Sequence, residues 1–383
     1  MKSQICLLSA LLAGCSAFSS SEAKTPEEKG LADLADMPIG IAVNIEGKAR
    51  DTLNSAARRA IVTTHFDQMS VENTMKMKYW DSKDFSNPRV DELTAFAVAN
   101  NLKMHGHVLV WHRSYQLPSW AYDDNPNFLA DFTRHVAGVA GKNASTGVMA
   151  SWDVVNEALY DKYDDGDNGP NGKGGELNGG VKYRKSVFYR ALGPDYIAQA
   201  FKAADKAEPN ADLYYNDFNT EDGGPKTDSL VNLIDGLVKQ GVPIDGVGFQ
   251  MHVISDYPSL DNIKASWRRI LDLNHNLKIK ITELDVRVNN RYDGNPDNDY
   301  ETCNNCPGLE KQKARYKEIV KAYYEVVPAK LRGGITIWGV SDSDSWYGPV
   351  EKPSQPDWPL LWDGNLKEKP AFYGVKEAII ESE

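Results

Sequence analysis

Apolar runs rich in β-branched residues alternate along the chain with segments whose apolar residues recur at helical spacing. The runs predict eight strands, at 39–44, 66–71, 104–110, 150–155, 213–216, 246–250, 279–284 and 334–338. The helical segments predict seven helices, at 51–61, 90–100, 128–138, 196–207, 227–240, 263–274 and 310–326. Strands that alternate with helices favour a parallel sheet, and eight such units predict an α/β fold, a single (β/α)8 TIM barrel. In that fold the active-site cleft lies at the carboxyl ends of the strands.

Two long polar stretches interrupt this alternation, at 161–181 and 289–308, and are predicted to be surface loops. Both are rich in Asp, Asn and Gly, and their oxygen-bearing residues have a spacing similar to that of calcium loops. Neither completes an EF-hand loop, because the first meets Gly169 and Pro170 and the second lacks the later Gly and Glu. Bound calcium in either loop stays an open alternative.

The amino-terminal residues have the pattern of an export signal. Lys2 precedes an apolar run at 5–13, which is too short to span a bilayer, since a spanning helix needs about 20 residues. The run ends in Leu-Ala-Gly-Cys, which resembles a bacterial lipobox and implies cleavage before Cys15 and lipidation of that residue. A plain signal peptide with a chance Cys is the alternative. Ser16 favours the outer membrane over the inner one and leaves open which face is the destination.

We therefore expect a lipoprotein signal peptide at 1–14, a lipidated, Ser-rich tether at 15–30 and the (β/α)8 domain at 31–383. The cysteines agree with export, because Cys6 would leave with the signal peptide. Cys303 and Cys306 remain as a C-x-x-C pair, for which a local disulfide is the expected state in an oxidising compartment. A zinc site would need four ligands, and no second pair of Cys or His has the spacing, so we expect no metal.

The net charge of −11 at pH 7 argues against nucleic acid as a partner, because no basic surface is available to neutralise phosphates. Hydrophobic residues make up 41% and charged residues 25% of the chain, which is ordinary for a soluble globular protein. The 9 Trp and 18 Tyr fit stacking against sugar faces as well as core packing. Composition thus excludes one class of partner and is compatible with a carbohydrate.

Polar residues cluster where the predicted strands end. Asn156 and Glu157 follow the fourth strand, and Glu283 closes the seventh, with Asp285 two residues further on. These strands lie roughly opposite each other in an eight-membered ring, so the two glutamates would face each other across its mouth. Hydrolysis of a glycosidic bond needs such a pair, one carboxyl to protonate the leaving oxygen and one to attack the anomeric carbon or activate water.

Seven motifs in order along the chain extend this prediction, and they are VENTMK (71–76), HVLVWH (107–112), WDVVNE (152–157), YNDFN (215–219), GFQMH (248–252), ITELDV (281–286) and ITIWGVSDSDSW (335–346). Together they resemble glycoside hydrolase family 10, the endo-β-1,4-xylanases, over about residues 37–380. The pair WDVVNE and ITELDV is the most specific. The resemblance implies retaining endo-hydrolysis of β-1,4-xylosidic bonds in xylan and xylo-oligosaccharides by double displacement.

The resemblance also implies a role for each matching residue. Glu157 matches the general acid/base and Glu283 the nucleophile. The residues that match catalytic support are Asn156, His252, Asp285 and Gln250. Those that match the sugar-binding wall and adjoining subsites are Glu72, Asn73, Lys76, His107, Trp111, Asn216, Phe218, Trp338 and Trp346.

These roles carry electrostatic expectations. His252 would orient Glu283 and help keep it ionised, with Asp285 orienting His252 in turn. Glu157, as the acid, is expected to have a pKa raised by apolar and anionic neighbours. Retention predicts a carboxyl separation of about 5–5.5 Å.

The chain departs from the family pattern at a few positions. The stretch 112–118 is two residues longer than the family's His-Ser-Gln-Leu-Pro, which affects the place of Gln116. Phe218 stands where the family commonly has Tyr, so a stacking face is kept and a hydroxyl is lost. Neither change touches a catalytic glutamate.

Two other functions are weighed, a related β-1,4-glucanase and a surface xylan-binding protein without catalysis. Retention of both glutamates with His252 and Asp285 favours an enzyme over a binding protein. A metal-dependent deacetylase is disfavoured, because the sequence shows no clustered set of His and Asp ligands. We expect no cofactor, a monomer, and xylan, xylo-oligosaccharides and the outer membrane as partners.

Overall fold

The computed structural model describes residue 25 and residues 28–45, 51–122, 124–162, 173–288, 307–347 and 357–383. The predicted signal peptide, Cys15, most of the tether, the Cys303–Cys306 pair and the central parts of both candidate calcium loops lie outside these residues.

Eleven strands occur in the described part of the chain, and they are β1 (Ile39–Val43), β2 (Gln68–Val71), β3 (Lys103–Trp111), β4 (Met149–Asn156), β5 (Gly175–Asn178), β6 (Val181–Arg184), β7 (Asp212–Asp217), β8 (Gly246–Phe249), β9 (His252–Ile254), β10 (Lys278–Arg287) and β11 (Arg332–Ile337). Eight of them pair in parallel in the order β11-β1-β2-β3-β4-β7-β8-β10, and β11 also pairs with β10. This second pairing closes the sheet on itself. The predicted (β/α)8 barrel is thereby confirmed.

Nine α-helices lie in the described residues, and they are α1 (Ala56–His65), α2 (Pro88–Ala99), α3 (Phe128–Gly141), α4 (Val187–Leu192), α5 (Tyr196–Ala207), α6 (Pro225–Lys239), α7 (Leu260–Leu271), α8 (Pro307–Val326) and α9 (Pro370–Ser382). Seven correspond to the predicted helices, and their apolar faces join the strands' outward residues in one core. None of the helices in the described residues has the length and apolarity needed to cross a membrane.

Local capping sets where the helices begin. The Ser55 side chain accepts a hydrogen bond from the Arg58 N–H, so α1 starts at Ala56, five residues later than the sequence pattern predicts. Asn87 caps α2 in the same way, and Pro88 occupies the first helical position, where its missing N–H costs nothing.

The interior of the barrel is polar toward its mouth. Glycines in β8 leave room there for larger side chains of the neighbouring strands. A Cβ on Gly248 would lie 2.5 Å from Asn216 Oδ1 and 2.8 Å from Thr282 Cγ2. A Cβ on Gly246 would lie 2.3 Å from the Tyr214 ring. Strand β8 therefore gives up side chains so that larger groups of β7 and β10 can occupy the centre.

Irregular strand pairing at the carboxyl ends directs consecutive residues into the same cleft. The register shifts between Ile281 and Leu284 in β10, and Thr282 and Glu283 both reach the Asn216 side chain there. In a regular strand two consecutive side chains would point to opposite faces. The irregularity explains how Glu283 enters the barrel mouth beside an inward-facing neighbour.

Candidate active site

Glu157 and Glu283 lie at the mouth of the barrel, Glu157 directly after β4 and Glu283 in the carboxyl half of β10. They are only 6% and 4% exposed. Glu157 has a φ of 60°, in the left-handed region, and its N–H donates to the Asn216 carbonyl at 2.9 Å. Its own carbonyl accepts from Arg184 Nε at 3.2 Å. A backbone conformation of this kind is costly for a residue with a Cβ and fixes the direction of the side chain.

Three amide side chains link the two carboxylates. Asn216 Nδ2 donates to Glu283 Oε1 at 2.8 Å and to Asn156 Oδ1 at 2.9 Å. Gln250 Nε2 donates to Asn156 Oδ1 and to Glu157 Oε1, both at 3.1 Å. Four successive contacts therefore connect Glu283 to Glu157, and the two carboxylates share one polar cluster.

Behind Glu283 stands a charged pair. His252 Nε2 lies 3.3 Å from Glu283 Oε2, and His252 Nδ1 lies 2.9 Å from Asp285 Oδ2. Burial lowers the pKa of His252, but the carboxylates of Asp285 and Glu283 outweigh burial and raise that pKa to about 10. The raised pKa favours the imidazolium form of His252, in which both ring nitrogens donate to the carboxylates.

A second line of side chains runs up the barrel interior to the other side of Glu283. His107 Nδ1 lies 2.9 Å from Asp153 Oδ2 and 3.9 Å from Glu283 Oε1. His105 Nε2 lies 3.0 Å from Asp153 Oδ1, and His105 Nδ1 contacts Ser151 Oγ at 2.7 Å. Burial alone would raise the pKa of Asp153, but the two histidines outweigh burial and hold that pKa below its ordinary value. Asp153 is therefore the anion that orients His107.

The fold gathers a group of ligand-type atoms that the sequence spacing does not reveal. One ligand atom each of His107, Asp153 and Glu283 lies within 4.8 Å of the others, a separation that a metal ion could bridge. All three groups have protein partners, since His107 contacts Asp153 and Glu283 accepts a hydrogen bond from Asn216. The donor set is explained by hydrogen bonding within the cluster.

The electrostatics of Glu157 contradict the expectation of a raised pKa. Burial does raise the pKa of Glu157, but the positive charges of Arg113 and Arg184 outweigh burial and bring that pKa below its ordinary value. Neither arginine was predicted to approach this carboxyl. Their charges, together with amide donors, replace the apolar and anionic surroundings that we expected.

The predicted sugar-binding residues of the amino-terminal half lie along one wall. Lys76 Nζ is 4.3 Å from the centre of the Trp111 ring and donates to Asn73 Oδ1 at 3.2 Å. Asn44 Nδ2 donates to Glu72 Oε2 at 3.4 Å. The wall combines an aromatic face with fixed charges and amides, which suits a ligand that carries hydroxyl groups.

The remaining predicted contacts come from the loops after β7 and β11. The Trp338 ring lies 5.1 Å from that of His107 and edge-on to it, and Trp346 Nε1 donates to Asp285 Oδ2 at 3.0 Å. Phe218 lies beside the mouth under Lys226, whose Nζ is 3.4 Å from the ring centre. The structure thus places all the predicted site residues within its described part at the same end of the barrel.

Sequence reasoning missed several members of this cluster. His105 and Ser151 lie two residues before His107 and Asp153, so the period of a strand could have indicated that they share the barrel interior. Thr282 precedes a predicted catalytic residue. Arg113 and Arg184 gave no such signal, because both lie outside the strands that form the barrel.

Comparison with known proteins agrees with this geometry. The model of glycosyl hydrolase family 10 matches residues 31–378. Endo-1,4-beta-xylanase A of Cellvibrio japonicus (strain Ueda107) is 54% identical over 356 residues, which cover 91% of this chain and 56% of that protein. Endo-beta-1,4-xylanase Xyn10C of Cellvibrio japonicus is 37% identical over 377 residues, which cover 94% of this chain and 59% of that protein. The chain thus spans less than two thirds of the length of either relative.

Solved structures share the fold. The catalytic core of xylanase A has a TM-score of 0.85 at 55% identity, over 91% of this chain and 100% of that one. A mutant of xylanase A from P. fluorescens subsp. cellulosa, in complex with xylopentaose, has a TM-score of 0.85 at 55% identity, over 91% of this chain and 99% of that one. Residues 31–378, which the family model matches, include both glutamates and all eight strands of the barrel. On this basis the chain belongs to glycosyl hydrolase family 10.

Proposed function

We propose that the chain is a retaining endo-1,4-β-xylanase that hydrolyses xylan and xylo-oligosaccharides, with Glu157 as general acid/base and Glu283 as nucleophile. The observation that carries this proposal is the amide-linked pair of buried glutamates at the barrel mouth. The named activities of the relatives and the xylopentaose complex of a similar structure support the choice of substrate.

In the first step of this mechanism, Glu283 attacks the anomeric carbon while Glu157 gives its proton to the departing glycosidic oxygen. A covalent glycosyl-enzyme results, and the aglycone leaves as an alcohol. In the second step the carboxylate of Glu157 takes a proton from water, the water oxygen bonds to the anomeric carbon, and Glu283 is released. Two inversions give net retention, for which a carboxyl separation of about 5–5.5 Å stays a prediction.

The surroundings of each glutamate suit these duties. The His252 imidazolium and the Asn216 amide stabilise the negative charge that Glu283 must carry before attack. When the ester forms, that charge disappears, and Asp285 remains as the counter-charge of His252. Arg113 and Arg184 favour the ionised form of Glu157, which is the form needed to activate water in the second step.

Removal of each glutamate tests the assignment of roles. Glu283→Ala should abolish turnover of xylan and of aryl xylobiosides, because no glycosyl-enzyme can form. Glu157→Ala should keep a rapid first step with a good leaving group, which needs no proton, and then stall. Burst kinetics with a dinitrophenyl xylobioside and steady-state rates on xylan would measure both effects.

The control is Glu318→Ala, which removes a glutamate that is 56% exposed on α8 and should leave every rate unchanged. Equal losses of Glu157→Ala on the activated glycoside and on xylan would contradict the acid/base role. Product analysis of xylohexaose by NMR tests substrate, cleavage pattern and retention together. A first product of inverted configuration would overturn the double displacement.

We also propose that the chain is exported and anchored to the outer membrane by a lipid on Cys15, with a signal peptide at 1–14, a tether at 15–30 and a monomeric catalytic domain at 31–383. The basic start, the short apolar run and the Leu-Ala-Gly-Cys sequence support this proposal. A disulfide between Cys303 and Cys306 is proposed on the same ground of an oxidising compartment.

A further inference from the structure

Asp285 is a buried carboxylate with two hydrogen-bond donors on one oxygen. Its Oδ2 accepts from Trp346 Nε1 at 3.0 Å and lies 2.9 Å from His252 Nδ1. His252 Nε2 lies in turn 3.3 Å from Glu283 Oε2. A continuous line of polar contacts therefore runs from an indole at the rim of the cleft to the proposed nucleophile.

The indole of Trp346 is held from behind as well. Its ring lies 3.8 Å from that of Tyr347, centre to centre, with the two planes inclined by 39°. The Arg287 guanidinium lies 4.3 Å from the centre of the Tyr347 ring. Arg287 Nε donates to Asp357 Oδ2 at 3.3 Å. Since the guanidinium is fixed by a carboxylate, the contact with Tyr347 gives the indole a defined position.

Two buried ion pairs hold the loop that carries this residue. Arg58 of α1 pairs with Asp344, and Lys369 Nζ lies 2.9 Å from Asp342 Oδ2. Both aspartates lie at the start of the loop, a few residues before Trp346, so this part of the loop is fixed to the barrel. Trp346 itself is 41% exposed, so part of its ring is open to the cleft while its N–H is directed at Asp285.

The two donors have different effects on Asp285. The hydrogen bond from the imidazolium is charge-assisted and is the stronger of the two. The indole N–H is a second donor to the same oxygen and restricts the rotation of the carboxylate further. Because His252 contacts both Asp285 and Glu283, any rotation of Asp285 would shift the group that orients the nucleophile.

We propose that Trp346 is a positioning residue for Glu283, whose indole N–H holds Asp285 and, through His252, fixes the nucleophile. This role is separate from any contact of the Trp346 ring with a sugar, and it rests on the proposed function of the two glutamates. It predicts that loss of the N–H slows the chemical step even for a substrate too short to reach the indole.

The test compares Trp346→Phe with the wild-type enzyme on two activated aryl glycosides. An aryl β-xyloside places its sugar only beside the glutamates, whereas an aryl β-xylobioside extends toward the rim. We expect kcat on the xyloside to fall about tenfold with little change in KM, which is typical of a lost hydrogen bond to a charged group. If Trp346 served only as a platform, the xyloside would be unaffected and only the xylobioside would lose kcat/KM.

A double-mutant cycle identifies the route. In an Asp285→Asn background, Trp346→Phe should slow the xyloside by less than about twofold, because the charged acceptor is already gone. Trp120→Phe, at a Trp packed on Phe128 away from the cluster, should leave both rates unchanged. Thermal melts show whether each variant is folded.

Three results would overturn the inference. An unchanged xyloside rate in Trp346→Phe would show that the N–H has no positioning role. An undiminished loss in the Asp285→Asn background would show that Trp346 acts by another route. A folded wild-type enzyme that cleaves neither glycoside would overturn the proposed function and, with it, the inference.

Discussion

The acidity of Glu157 is controlled by arginines that the chain brings from two different places. Arg113 follows β3, and Arg184 ends β6, the second strand of a hairpin inserted after β4. Their charges outweigh the burial of the carboxyl and lower the pKa of Glu157. Because a general acid must be protonated in the free enzyme, a lower pKa moves the useful pH range toward acid.

This control can be tested with Arg113→Ala. Removal of the positive charge raises the pKa of Glu157 toward its ordinary value, so a larger fraction of the acid stays protonated as the pH rises. The alkaline limb of the pH profile of kcat/KM should therefore move to higher pH. Measurement of kcat/KM on xylohexaose over a range of roughly five pH units, from about pH 4 to about pH 9, would show the shift.

Arg134→Ala is the matched control, because its guanidinium is 47% exposed on α3 and pairs with Asp131. It should leave the limb in place. The difference between Arg113→Ala and the wild-type enzyme should also shrink as salt is added, because Arg113 is only partly buried and its charge is accessible to counterions. A limb that moves to lower pH in Arg113→Ala would contradict the electrostatic account.

At this scale the sequence predicted the residues that belong to strand-end motifs and missed those that act across the fold. Glu157, Glu283, His252 and Asp285 lie at or near the predicted strand ends, and their motifs locate them. The approach of Arg113 to Glu157 depends on how a loop folds over the barrel mouth, which no periodicity encodes. For that reason the direction of the Glu157 pKa was predicted wrongly although its position was predicted well.

Among the elements, β3 and β4 fit together through a pair of very different sizes. Gly106 is in register with Trp152, and a Cβ on Gly106 would lie 2.1 Å from Trp152 Cε3. The indole is 1% exposed, so it has little room to move away. The glycine thus allows a large aromatic residue to cover the outer face of the strand that leads to Glu157.

Gly106→Ala should therefore destabilise the protein by about 1–3 kcal/mol, the usual cost of overpacking. The matched control is Gly236→Ala within α6, where a new Cβ would have no atom within 4 Å. That change should stabilise the protein by about 0.5–1 kcal/mol, because alanine has the higher helix propensity. Free energies of unfolding from urea titrations would compare the two, and equal effects of the same sign would refute the packing argument.

The elements that the sequence pattern missed are short or lie outside the alternation of eight strands with helices. In the hairpin, β5 lies within the stretch 161–181 that we predicted to be loop, and β6 begins at its last residue. The pattern missed both strands because each has only four residues and neither has an apolar run. Helix α9 follows the last predicted strand, where the barrel pattern alone requires no particular bounds. Long, periodic segments were predicted well because burial imposes their pattern, whereas a short strand such as β5, most of it exposed, is defined by backbone pairing that leaves little pattern in the sequence.

For the molecule as a whole, the closed sheet explains how residues 126 positions apart along the chain, Glu157 and Glu283, come to one cleft. Their strands β4 and β10 are separated by β7 and β8 on one side of the ring and by four strands on the other. The count of eight predicted strands in alternation with helices was enough to predict this arrangement, since an open sheet would not bring the ends together. The number of strands does not predict where in the cell the catalytic domain is held.

The proposed lipid anchor would hold the domain at the outer membrane, and this location predicts which substrates the enzyme can reach. A tether of residues 15–30 has a typical end-to-end distance of only about 20–25 Å if it behaves as a flexible coil. An anchored enzyme could then reach soluble xylo-oligosaccharides that diffuse to it but few bonds inside insoluble xylan. Per bond, the anchored wild-type enzyme should cleave oligosaccharides faster than insoluble xylan.

Cys15→Ser tests the anchor and its effect together. The variant should lose lipid labelling and membrane association, whereas Cys6→Ser, which alters only the proposed signal peptide, should keep both. Release should raise the rate on insoluble xylan and leave the rate on xylohexaose unchanged, because the catalytic domain is the same and only its reach differs. Fractionation with radiolabelled palmitate and reducing-sugar assays would measure these changes. Equal rates per bond on both substrates for the anchored enzyme, or membrane association that survives Cys15→Ser, would show that the anchor does not determine which polymer the barrel meets.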